Sequence, residues 1–336
     1  MLRQHEKPAS TPRWRRLPLL LYGIALVAVA LAIHLVGAIA FVLSETITSG
    51  PMAPEWPGRL LVTSGGLILL AGGLAAADLV VLVRGKRQRH EVMMEPPGVR
   101  HLTVVLTAFN DEEAIGPAVA DFRSHPLVRR VIVVDNESSD RTADIAREHG
   151  AIVVRESQRG YGRCVYRALQ EGLNYGDTEL TLLCEGDMTF RAYDIDKFMS
   201  YIAHADIVNG TRIVEQLRAH RTQLTNFMYY GNFTVGKLLE AKHLGKGTFT
   251  DVGTTYKLCR NSALRALLPF LNPAINLEFN AHFLDMALAG PFHIVECPIT
   301  FHRRLGSSKG GNTSNRRALA VGLRMIRGIV SGWPRT

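Results

Sequence analysis

Cysteine is scarce in this sequence, with only four in 336 residues. They are widely spaced, at Cys164, Cys184, Cys259 and Cys297, and none forms a C-x-x-C pair. This spacing argues against both a disulfide framework and a structural zinc site. We therefore expect free, buried thiols in a reducing compartment.

Two common phosphate-binding sequences are also missing. A dinucleotide-binding fold needs G-x-G-x-x-G directly after its first strand, but "TAFNDEE" follows the first predicted strand here. The P-loop sequence is absent as well. The stretch "RGYGRC" from Arg159 is rich in glycine, but it follows the third predicted strand and lacks a third glycine. The sequence therefore predicts neither a dinucleotide site nor a P-loop.

Lysine and arginine are absent from residues 44–58, which separate two long apolar runs at 17–43 and 60–83. Each run exceeds the roughly 20 residues that cross a bilayer, and the first exceeds the roughly 7 to 15 apolar residues of a signal peptide. The flanks, residues 1–16 and 84–90, are rich in arginine. By the positive-inside rule, we expect a multi-pass protein of the cell (inner) membrane with both termini and the following domain cytoplasmic.

The formal net charge of +9 is compatible with two kinds of anionic partner, lipid and nucleic acid. No nucleic-acid recognition motif is present, whereas the two apolar runs already indicate a membrane. We therefore predict a membrane partner and no nucleic acid.

Two ionisable residues, His34 and Asp78, lie inside the apolar runs. Such residues are functional candidates in membrane proteins. They also have structural interpretations, since His34 can bond across the hairpin and Asp78 can reach Arg84 or interfacial water. We leave both out of the predicted site.

The predicted organisation after the hairpin is a linker at residues 84–100, a domain at 101–312 and a terminal helix at 313–336. Short β-branched runs such as "LTVVLTAF" and "VRRVIVVD" alternate with helical stretches. This alternation predicts an α/β domain with a mostly parallel sheet covered on both faces. Ligands bind at the carboxyl ends of the strands in such sheets.

Three polar stretches follow predicted strands: "TAFNDEE", "DNESSD" and "EGD". The last contains Glu185 and Asp187, separated by Gly186 at a strand end. Two carboxylates at such a short distance repel each other unless a cation lies between them. A Mg²⁺ or Mn²⁺ ion suits this position, because it keeps open coordination positions for phosphate oxygens. A solvated turn is the alternative for "EGD" taken alone.

Seven ordered stretches carry a resemblance to a known family: "VVLTAFNDEEAI", "VIVVDNESSDRTADIA", "RGYGRC", "LLCEGDMTF", "IVNGTR", "TDVGTTYKLCR" and "VECPITFHRRLGSSKG". They resemble family 2 glycosyltransferases of the GT-A fold, most of all the dolichol-phosphate and polyprenyl-phosphate sugar transferases. The resemblance covers residues 102–309. It implies a Rossmann-like GT-A catalytic domain preceded by a two-helix transmembrane hairpin.

The resemblance implies a donor-binding set. The family's nucleotide-contacting stretch is matched by Thr107, Ala108, Phe109, Asn110 and Asp111. Phe109 is placed there to flank the base. The family's nucleotide-binding Asp is matched by Asp135, and Gly160 in "RGYGRC" joins the same set.

The resemblance also implies the reacting end of the site. The metal-holding Asp-x-Asp motif is matched by Glu185 and Asp187, and the "GSR" element by Gly210 to Arg212. Asp251 matches an acid near the metal and the acceptor. The mobile-loop motif R-x-x-G-x-S-K is matched by Arg303, Gly306, Ser308 and Lys309. The catalytic set is then Asp187, Asp251, Arg212, Arg303 and Lys309. Arg303, Ser308 and Lys309 also contact the donor.

Departures from the family pattern leave the metal geometry and the base open. Glu185 is one methylene longer than the usual Asp, Asn136 replaces a second Asp, and Thr107 replaces Pro. The Gln-x-x-Arg-Trp sequence of processive polysaccharide synthases is missing, which favours a single transfer. Arg304, beside the motif, is either part of a basic cluster over the phosphates or a solvated charge.

Two later segments suit a membrane surface. The terminal helix places Ala318, Val321, Met325 and Ile329 on one face with arginines beside it and Trp333 at its end, which predicts a basic amphipathic interfacial helix. A core helix is the alternative. Residues 222–245 are aromatic and apolar. They would either pack in the core or form a groove for an acyl or isoprenoid chain.

The hypothesis from the sequence is a membrane-anchored, metal-dependent inverting glycosyltransferase. Its partners are a UDP- or GDP-sugar donor and a polyprenyl phosphate acceptor, and a homo-oligomer is compatible with the sequence. Two alternatives stay open. One is a transferase acting on another lipid or saccharide, with Asp251 as the base, and the other is a non-catalytic sugar-nucleotide-binding membrane protein.

Overall fold

The computed structural model describes residues 17–47, 54–83, 92–98, 101–220, 222–306 and 314–334. These residues divide into two units. One unit contains the apolar runs together with residues 241–245. The other contains the described residues from 92 to 240 and from 246 to 334.

The first unit is a helical hairpin. Helix α1 spans Leu19–Ile47, and α2 spans Trp56–Ala76 and continues as a π-helical segment, Ala77–Leu82. Both helices are long and apolar enough to cross a membrane, at Leu19–Thr46 and Trp56–Leu82. Helix α2 begins four residues before the predicted run because Pro57 lies in its first turn, where its fixed φ suits a helix.

Close packing joins the two helices of the hairpin. A Cβ atom on Gly23 would lie 2.9 Å from the Ala71 carbonyl oxygen, so the backbones approach closely there. The hydrogen bond predicted across the hairpin for His34 is present, with its Nδ1 2.9 Å from Ser64 Oγ. Asp78 Oδ2 accepts a hydrogen bond of 2.8 Å from the Leu20 amide in the first turn of α1.

The second unit is built on a seven-stranded sheet with the strand order β3-β2-β1-β4-β6-β5-β7. The strands are β1 Leu102–Ala108, β2 Val128–Asp135, β3 Ile152–Arg155, β4 Leu180–Glu185, β5 Ile207–Thr211, β6 Lys257–Arg260 and β7 Ile294–Pro298. Strand β6 runs antiparallel to both of its neighbours, and the remaining pairs are parallel. The prediction of a mostly parallel sheet is therefore confirmed.

Helices cover both faces of this sheet. They are α3 Glu112–Ser124, α4 Thr142–Glu148, α5 Tyr161–Gly172, α6 Ile195–Tyr201, α7 Asn226–Lys242, α8 Asn261–Leu267, α9 Phe279–Ala289 and α10 Asn315–Ser331. Short 3-10 turns lie at Ala192–Asp194, Ile202–His204, Glu215–Leu217 and Leu268–Phe270. Every residue of β1 is buried, and Leu102, Val104 and Leu106 share a core cluster with Phe122 of α3. The apolar strands therefore form the interior, and their polar ends lie at its edge.

The apolar face of α10 packs against its own unit. Met325 and Ile329 are buried, and Trp333 lies 5.1 Å from the ring of His282 and donates from Nε1 to Asp285 Oδ2 at 2.7 Å. The opposite face exposes Leu319, Leu323 and neighbouring arginines. The core-helix alternative therefore describes the inner face, and an interfacial role of the outer face stays a prediction.

Candidate functional site

The polar ends of three parallel strands meet at one edge of the sheet. In the strand register, Ala108 of β1 is level with Asp135 of β2, and Thr107 is level with Glu185 of β4. The ends of these strands and the loops that follow them contain eight of the predicted site residues: Thr107, Ala108, Phe109, Asn110, Asp111, Asp135, Glu185 and Asp187. The sheet therefore brings together the three acidic stretches that are separate in the sequence.

Asp187 is the most deeply buried carboxylate of the pair after β4, with 2% of its surface exposed. Its Oδ1 atom accepts hydrogen bonds from the backbone amide and the hydroxyl of Thr189, at 3.0 and 2.5 Å. Burial and the neighbouring charge of Glu185 raise the pKa of Asp187 to about 6, although Arg304 opposes the shift. This carboxylate is therefore held in one orientation in a place that favours an added cation.

Glu185 is oriented by a buried polar network. Its Oε1 accepts hydrogen bonds from Thr255 Oγ1 at 2.7 Å and from Tyr161 Oη at 3.4 Å. Asn280 donates to both hydroxyls, at 3.3 and 2.9 Å. Burial and the charge of Glu185 raise the pKa of the Tyr161 hydroxyl, which keeps it protonated as a donor. Glu185, one methylene longer than aspartate, thus reaches Thr255 in the segment before β6 and Tyr161 at the start of α5.

The loop after β1 is fixed to the loop after β2. Asn110, at a φ of +52°, accepts at Oδ1 from the Ser139 amide at 2.7 Å and donates its own amide to Ser138 Oγ at 2.9 Å. Asp111 Oδ2 accepts from the Phe109 amide at 3.0 Å. Asn110 is therefore a bridge between two loops, while the Phe109 ring is 36% exposed at the rim.

Asp135 and Asn136 divide the next part of the site between them. Asp135 is 4% exposed, and its Oδ1 has no hydrogen-bond partner among the described residues. Asn136 donates from Nδ2 to the Gln158 carbonyl at 2.9 Å and accepts at Oδ1 from the Gly160 amide at 2.9 Å. Gly160 has a φ of +143°, which few other residues adopt. A carboxylate at position 136 could not donate the first of these bonds, so asparagine is required by this loop.

Arg212 and Asp251 form a buried, two-pronged ion pair. The guanidinium donates from Nε and Nη2 to the two carboxylate oxygens, at 2.7 and 2.8 Å. The side chains are 9% and 4% exposed. Burial by itself would raise the pKa of Asp251, but the charge of Arg212 and the hydrogen bonds that Arg212 donates lower this pKa below its usual value. Asp251 is therefore an anchor for Arg212 and a poor proton acceptor.

The two arginines of the "HRR" sequence have different surroundings. Arg303 is exposed. Arg304 donates to Asp111 Oδ1 at 2.6 Å and lies 3.1 Å from Asp187 Oδ2. Arg304 is therefore not a solvated charge, and its place in a basic cluster over the phosphates stays a prediction. Ser308 and Lys309 lie outside the described residues.

A single cavity of about 700 Å³ joins these parts. The predicted residues that line it are Thr107, Ala108, Phe109, Asp111, Gly160, Glu185, Asp187 and Arg212. Asn110, Asp135, Asp251 and Arg303 are not among the lining residues. Helix α7 adds an apolar wall with Phe227, Met228 and Val235, and helix α10 adds Val321 and Met325. The carboxylates and a long apolar wall therefore share one space.

Comparison with known proteins agrees with this geometry. The family model described as Glycosyl transferase family 2 matches residues 103–268. A dolichyl-phosphate hexose transferase of Haloferax volcanii is 29% identical over 209 residues, which are 62% of this chain and 86% of that protein. The chain belongs to glycosyl transferase family 2.

Two further proteins similar to this family 2 glycosyltransferase come from Mycobacterium tuberculosis, one by sequence and one by fold. An uncharacterized glycosyltransferase is 38% identical over 112 residues, which are 33% of this chain and 48% of that protein. A solved glucosyl-3-phosphoglycerate synthase, in complex with Mn²⁺, UDP-glucose and glycerol 3-phosphate, has a TM-score of 0.50 and 17% identity. It covers 70% of this chain and 82% of that chain. At this identity the likeness concerns the fold alone, and the predicted GT-A fold is confirmed.

The glycosyltransferase has two carboxylates that could hold a divalent cation, Glu185 and Asp187. Among the residues that the structure describes, no group of three or more His, Cys, Asp or Glu side chains could hold a metal ion. A Mg²⁺ ion commonly takes one or two carboxylates and completes its shell with water and substrate phosphate. The raised pKa of Asp187 and the oxygen-only donors fit such an ion. The residues therefore suit a cation that arrives with a diphosphate.

Several supporting residues of the glycosyltransferase escape sequence analysis. Tyr161, Thr255 and Asn280 hold Glu185, yet Asn280 is 119 positions from Tyr161. Glu296 accepts hydrogen bonds from the Thr250 and Asp251 amides, at 2.9 and 3.1 Å, and fixes the segment that contains Asp251. Tyr161, Thr255 and Glu296 lie within three of the seven motif stretches, but the motifs give them no role, and Asn280 lies outside all seven.

Lys257 of the glycosyltransferase is fully buried behind the site. Its Nζ donates to the Thr254 carbonyl and to Asn280 Oδ1, and it lies 5.8 Å from the Phe283 ring centroid. Burial lowers the pKa of Lys257 to about 7, although Asp251 and Glu185 oppose the shift. The folded protein therefore releases this proton near neutral pH, whereas the unfolded chain keeps it to about pH 10.4.

We expect the free energy of unfolding to rise between pH 7 and pH 9, by about 2 kcal/mol from Lys257, because the unfolded chain binds more protons in this window. The contribution is smallest below pH 7 and grows as the pH rises. Chemical denaturation in detergent at both pH values measures it. Lys257→Met should lose the rise, whereas Lys237→Met, at a half-buried lysine of α7, should keep it. An equal rise in Lys257→Met would contradict the prediction.

Proposed function

We propose that this membrane-anchored glycosyltransferase transfers a sugar from a UDP- or GDP-sugar to a polyprenyl phosphate, with inversion at the anomeric carbon. The observation that carries the proposal is the shared cavity. Its polar end contains Glu185, Asp187 and Arg212, and its apolar wall comes from α7 and α10. A lipid phosphate suits both halves, because its headgroup is anionic and its chain is apolar.

The state of Asp251 supports a phosphate acceptor over a neutral hydroxyl. A hydroxyl needs a general base, whereas a phosphate oxygen is already an anion at neutral pH. Asp251 is the candidate base, but both of its oxygens are bonded to Arg212 and its pKa is lowered. The arrangement therefore suits an acceptor that has no proton to lose.

The proposed reaction is a single displacement. An oxygen of the lipid phosphate forms a bond to the anomeric carbon of the sugar, and the bond from that carbon to the nucleoside diphosphate breaks. A bound divalent cation supplies charge neutralisation at the leaving diphosphate. Glu185 and Asp187 would hold that cation, and Arg212 and Arg304 supply positive charge to bring two anionic substrates together. In this proposal Phe109, at the rim, would flank the base.

Cationic side chains on α10 support the lipid end of the proposal. Arg317 and Arg324 line the cavity beside Val321 and Met325, so positive charge and apolar surface alternate along one helix. Arg324 also forms an ion pair with the buried Glu278 of the segment before α9. This pattern suits a phosphate headgroup attached to an isoprenoid chain.

The membrane placement is part of the proposal. Its support is the pair of helices long enough to cross a membrane, and the arginine-rich segments on either side of them in the sequence. Under the positive-inside rule the catalytic domain lies in the cytoplasm, where nucleotide sugars are made. The arginine-rich segments themselves lie outside the described residues.

A lipid panel tests the proposed acceptor. The purified full chain in detergent with Mn²⁺ is given UDP- and GDP-sugars with polyprenyl phosphate, the matching polyprenol, diacylglycerol or no lipid. We expect nucleotide release and a glycolipid with polyprenyl phosphate alone. A product with polyprenol or diacylglycerol would overturn the phosphate acceptor, and release at equal rates with and without lipid would overturn the transferase to lipid.

A further inference from the structure

Arg304 occupies a position between two acids of the site. Its Nη2 lies 2.6 Å from Asp111 Oδ1, and its Nη1 lies 3.1 Å from Asp187 Oδ2. The Arg304 side chain is 17% exposed, and the two carboxylates are 7% and 3% exposed. A partly desolvated pair of this kind is much stronger than an exposed one.

The backbone on each side of Arg304 is bonded to the turn after β4. The His302 amide donates to the Thr189 carbonyl at 2.9 Å, and the Leu305 amide donates to the Asp187 carbonyl at 3.1 Å. These two bonds place Arg304 over the carboxylate pair without involving its side chain. The guanidinium can therefore change partners while the segment stays in place.

Arg304 and a divalent cation need the same oxygen. Asp187 Oδ1 is occupied by the two Thr189 donors, so Oδ2 is the oxygen left for a metal, and Arg304 is the cation beside it. Arg304 also has a buried Nε that finds no hydrogen-bond partner among the described residues. One guanidinium thus pairs with two acids and has a further N–H group, at Nε, that could donate a hydrogen bond to another anion.

We infer that Arg304 is the counter-ion of Asp111 and Asp187 before the donor binds, and that it moves to the donor diphosphate when the donor arrives with its cation. This inference rests on the proposed function, since it takes a nucleoside diphosphate and a divalent cation as the ligands. Arg304 keeps Asp111 and Asp187 paired while no donor is bound. On binding, the cation takes Asp187 Oδ2 and the guanidinium pairs with phosphate oxygens. Asp187 and Arg304 each exchange one charged partner for another, and Asp111 keeps the hydrogen bond from the Phe109 amide.

The inference separates two neighbouring arginines. The family motif points to Arg303, but the side chain over the carboxylates is Arg304, and Arg303 is exposed. Arg129→Gln is a matched control for Arg304→Gln, because it makes the same charge change at a side chain that is 62% exposed at the start of β2.

Binding measurements on the full chain in detergent test the exchange without any turnover. Isothermal titration gives the affinity for Mn²⁺ alone, and then for UDP or GDP at saturating Mn²⁺. In Arg304→Gln we expect Mn²⁺ alone to bind about tenfold more tightly, because a competing positive charge is gone. Nucleotide should bind roughly 10- to 100-fold more weakly, because a charge-assisted bond to phosphate is lost. Arg129→Gln should change neither affinity by more than about threefold.

Opposite shifts in the two affinities distinguish exchange from a structural role. If Arg304→Gln weakens both ligands, or neither, the inference is overturned. Arg304→Lys guards against a variant that fails to fold, because it keeps the charge and loses the fork. It should retain the native Mn²⁺ affinity and bind nucleotide more weakly than the native chain, and equal nucleotide binding would overturn the inference. If the native chain bound nucleotide but transferred no sugar to polyprenyl phosphate, the result would count against the proposed acceptor and not against the exchange.

Discussion

Asp187→Asn is expected to reduce sugar transfer roughly a thousandfold while changing the free energy of unfolding by no more than about 1 kcal/mol. The reason for the lost activity is the position of this carboxylate. Asp187 is 2% exposed, and Thr189 fixes its Oδ1, so Oδ2 faces the place where a cation and a diphosphate would meet. The asparagine amide has the same shape as the carboxylate but carries no negative charge to hold the cation that accompanies the diphosphate.

The fold should tolerate Asp187→Asn for a separate reason. Burial and Glu185 already disfavour the ionised carboxylate, and they raise its pKa to about 6. The amide keeps an oxygen for the Thr189 donors, and Arg304 keeps Asp111 as a partner. Loss of function without loss of stability therefore identifies a functional charge.

Asp196→Asn is the matched control, because the Asp196 side chain is 77% exposed on α6. Transfer is followed as release of UDP or GDP, and stability as chemical denaturation in detergent. The control should keep native activity and stability. If Asp187→Asn retained more than about a tenth of native transfer, this carboxylate would not be the metal-holding group of the proposed mechanism.

The motif positions could be predicted because parallel strands end on the same edge of a sheet. The register that sets Ala108 level with Asp135, and Thr107 level with Glu185, follows from three apolar strands of similar length. Any α/β sequence with polar residues after such strands would place them together. The three acidic stretches therefore meet because of the strand topology, and the alternation of strands and helices in the sequence already predicts that topology.

The neighbours of the carboxylates could not be predicted in this way. The choice between Arg303 and Arg304 depends on the backbone bonds of His302 and Leu305 to the turn after β4, which no spacing rule specifies. The network under Glu185 joins side chains from the segment before β6, from α5 and from α9. Its members are far apart in the sequence and meet only through packing.

The partner of the apolar face of α10 could not be predicted either, for a related reason. Its apolar stripe of Ala318, Val321, Met325 and Ile329 fits a membrane surface and a protein core equally well in sequence. Contacts of Trp333 with α9 direct that stripe inward, and they involve residues about 50 positions away, such as Asp285 at a separation of 48. Periodicity indicates that a face is apolar but does not indicate what covers it.

Breaking the ion pair of Arg212 and Asp251 should cost about 3 to 5 kcal/mol of folding free energy, because either single change leaves a buried charge without its partner. Both side chains are less than 10% exposed, and the pair makes two parallel hydrogen bonds. Asp251→Asn and Arg212→Met are the two single variants. The double variant should recover most of the lost stability, since it leaves no unpaired charge.

Activity should not follow stability in this series. Arg212 lines the cavity and its guanidinium lies 5.2 Å from the Phe301 ring, whereas Asp251 is withdrawn behind it. We therefore expect both single variants and the double variant to lose transfer by roughly a hundredfold. Denaturation curves and nucleotide release, measured on the same four proteins, separate the two quantities. A double variant that regained activity along with stability would show that the pair only supports the fold, and Arg212 would lose its proposed role at the phosphates.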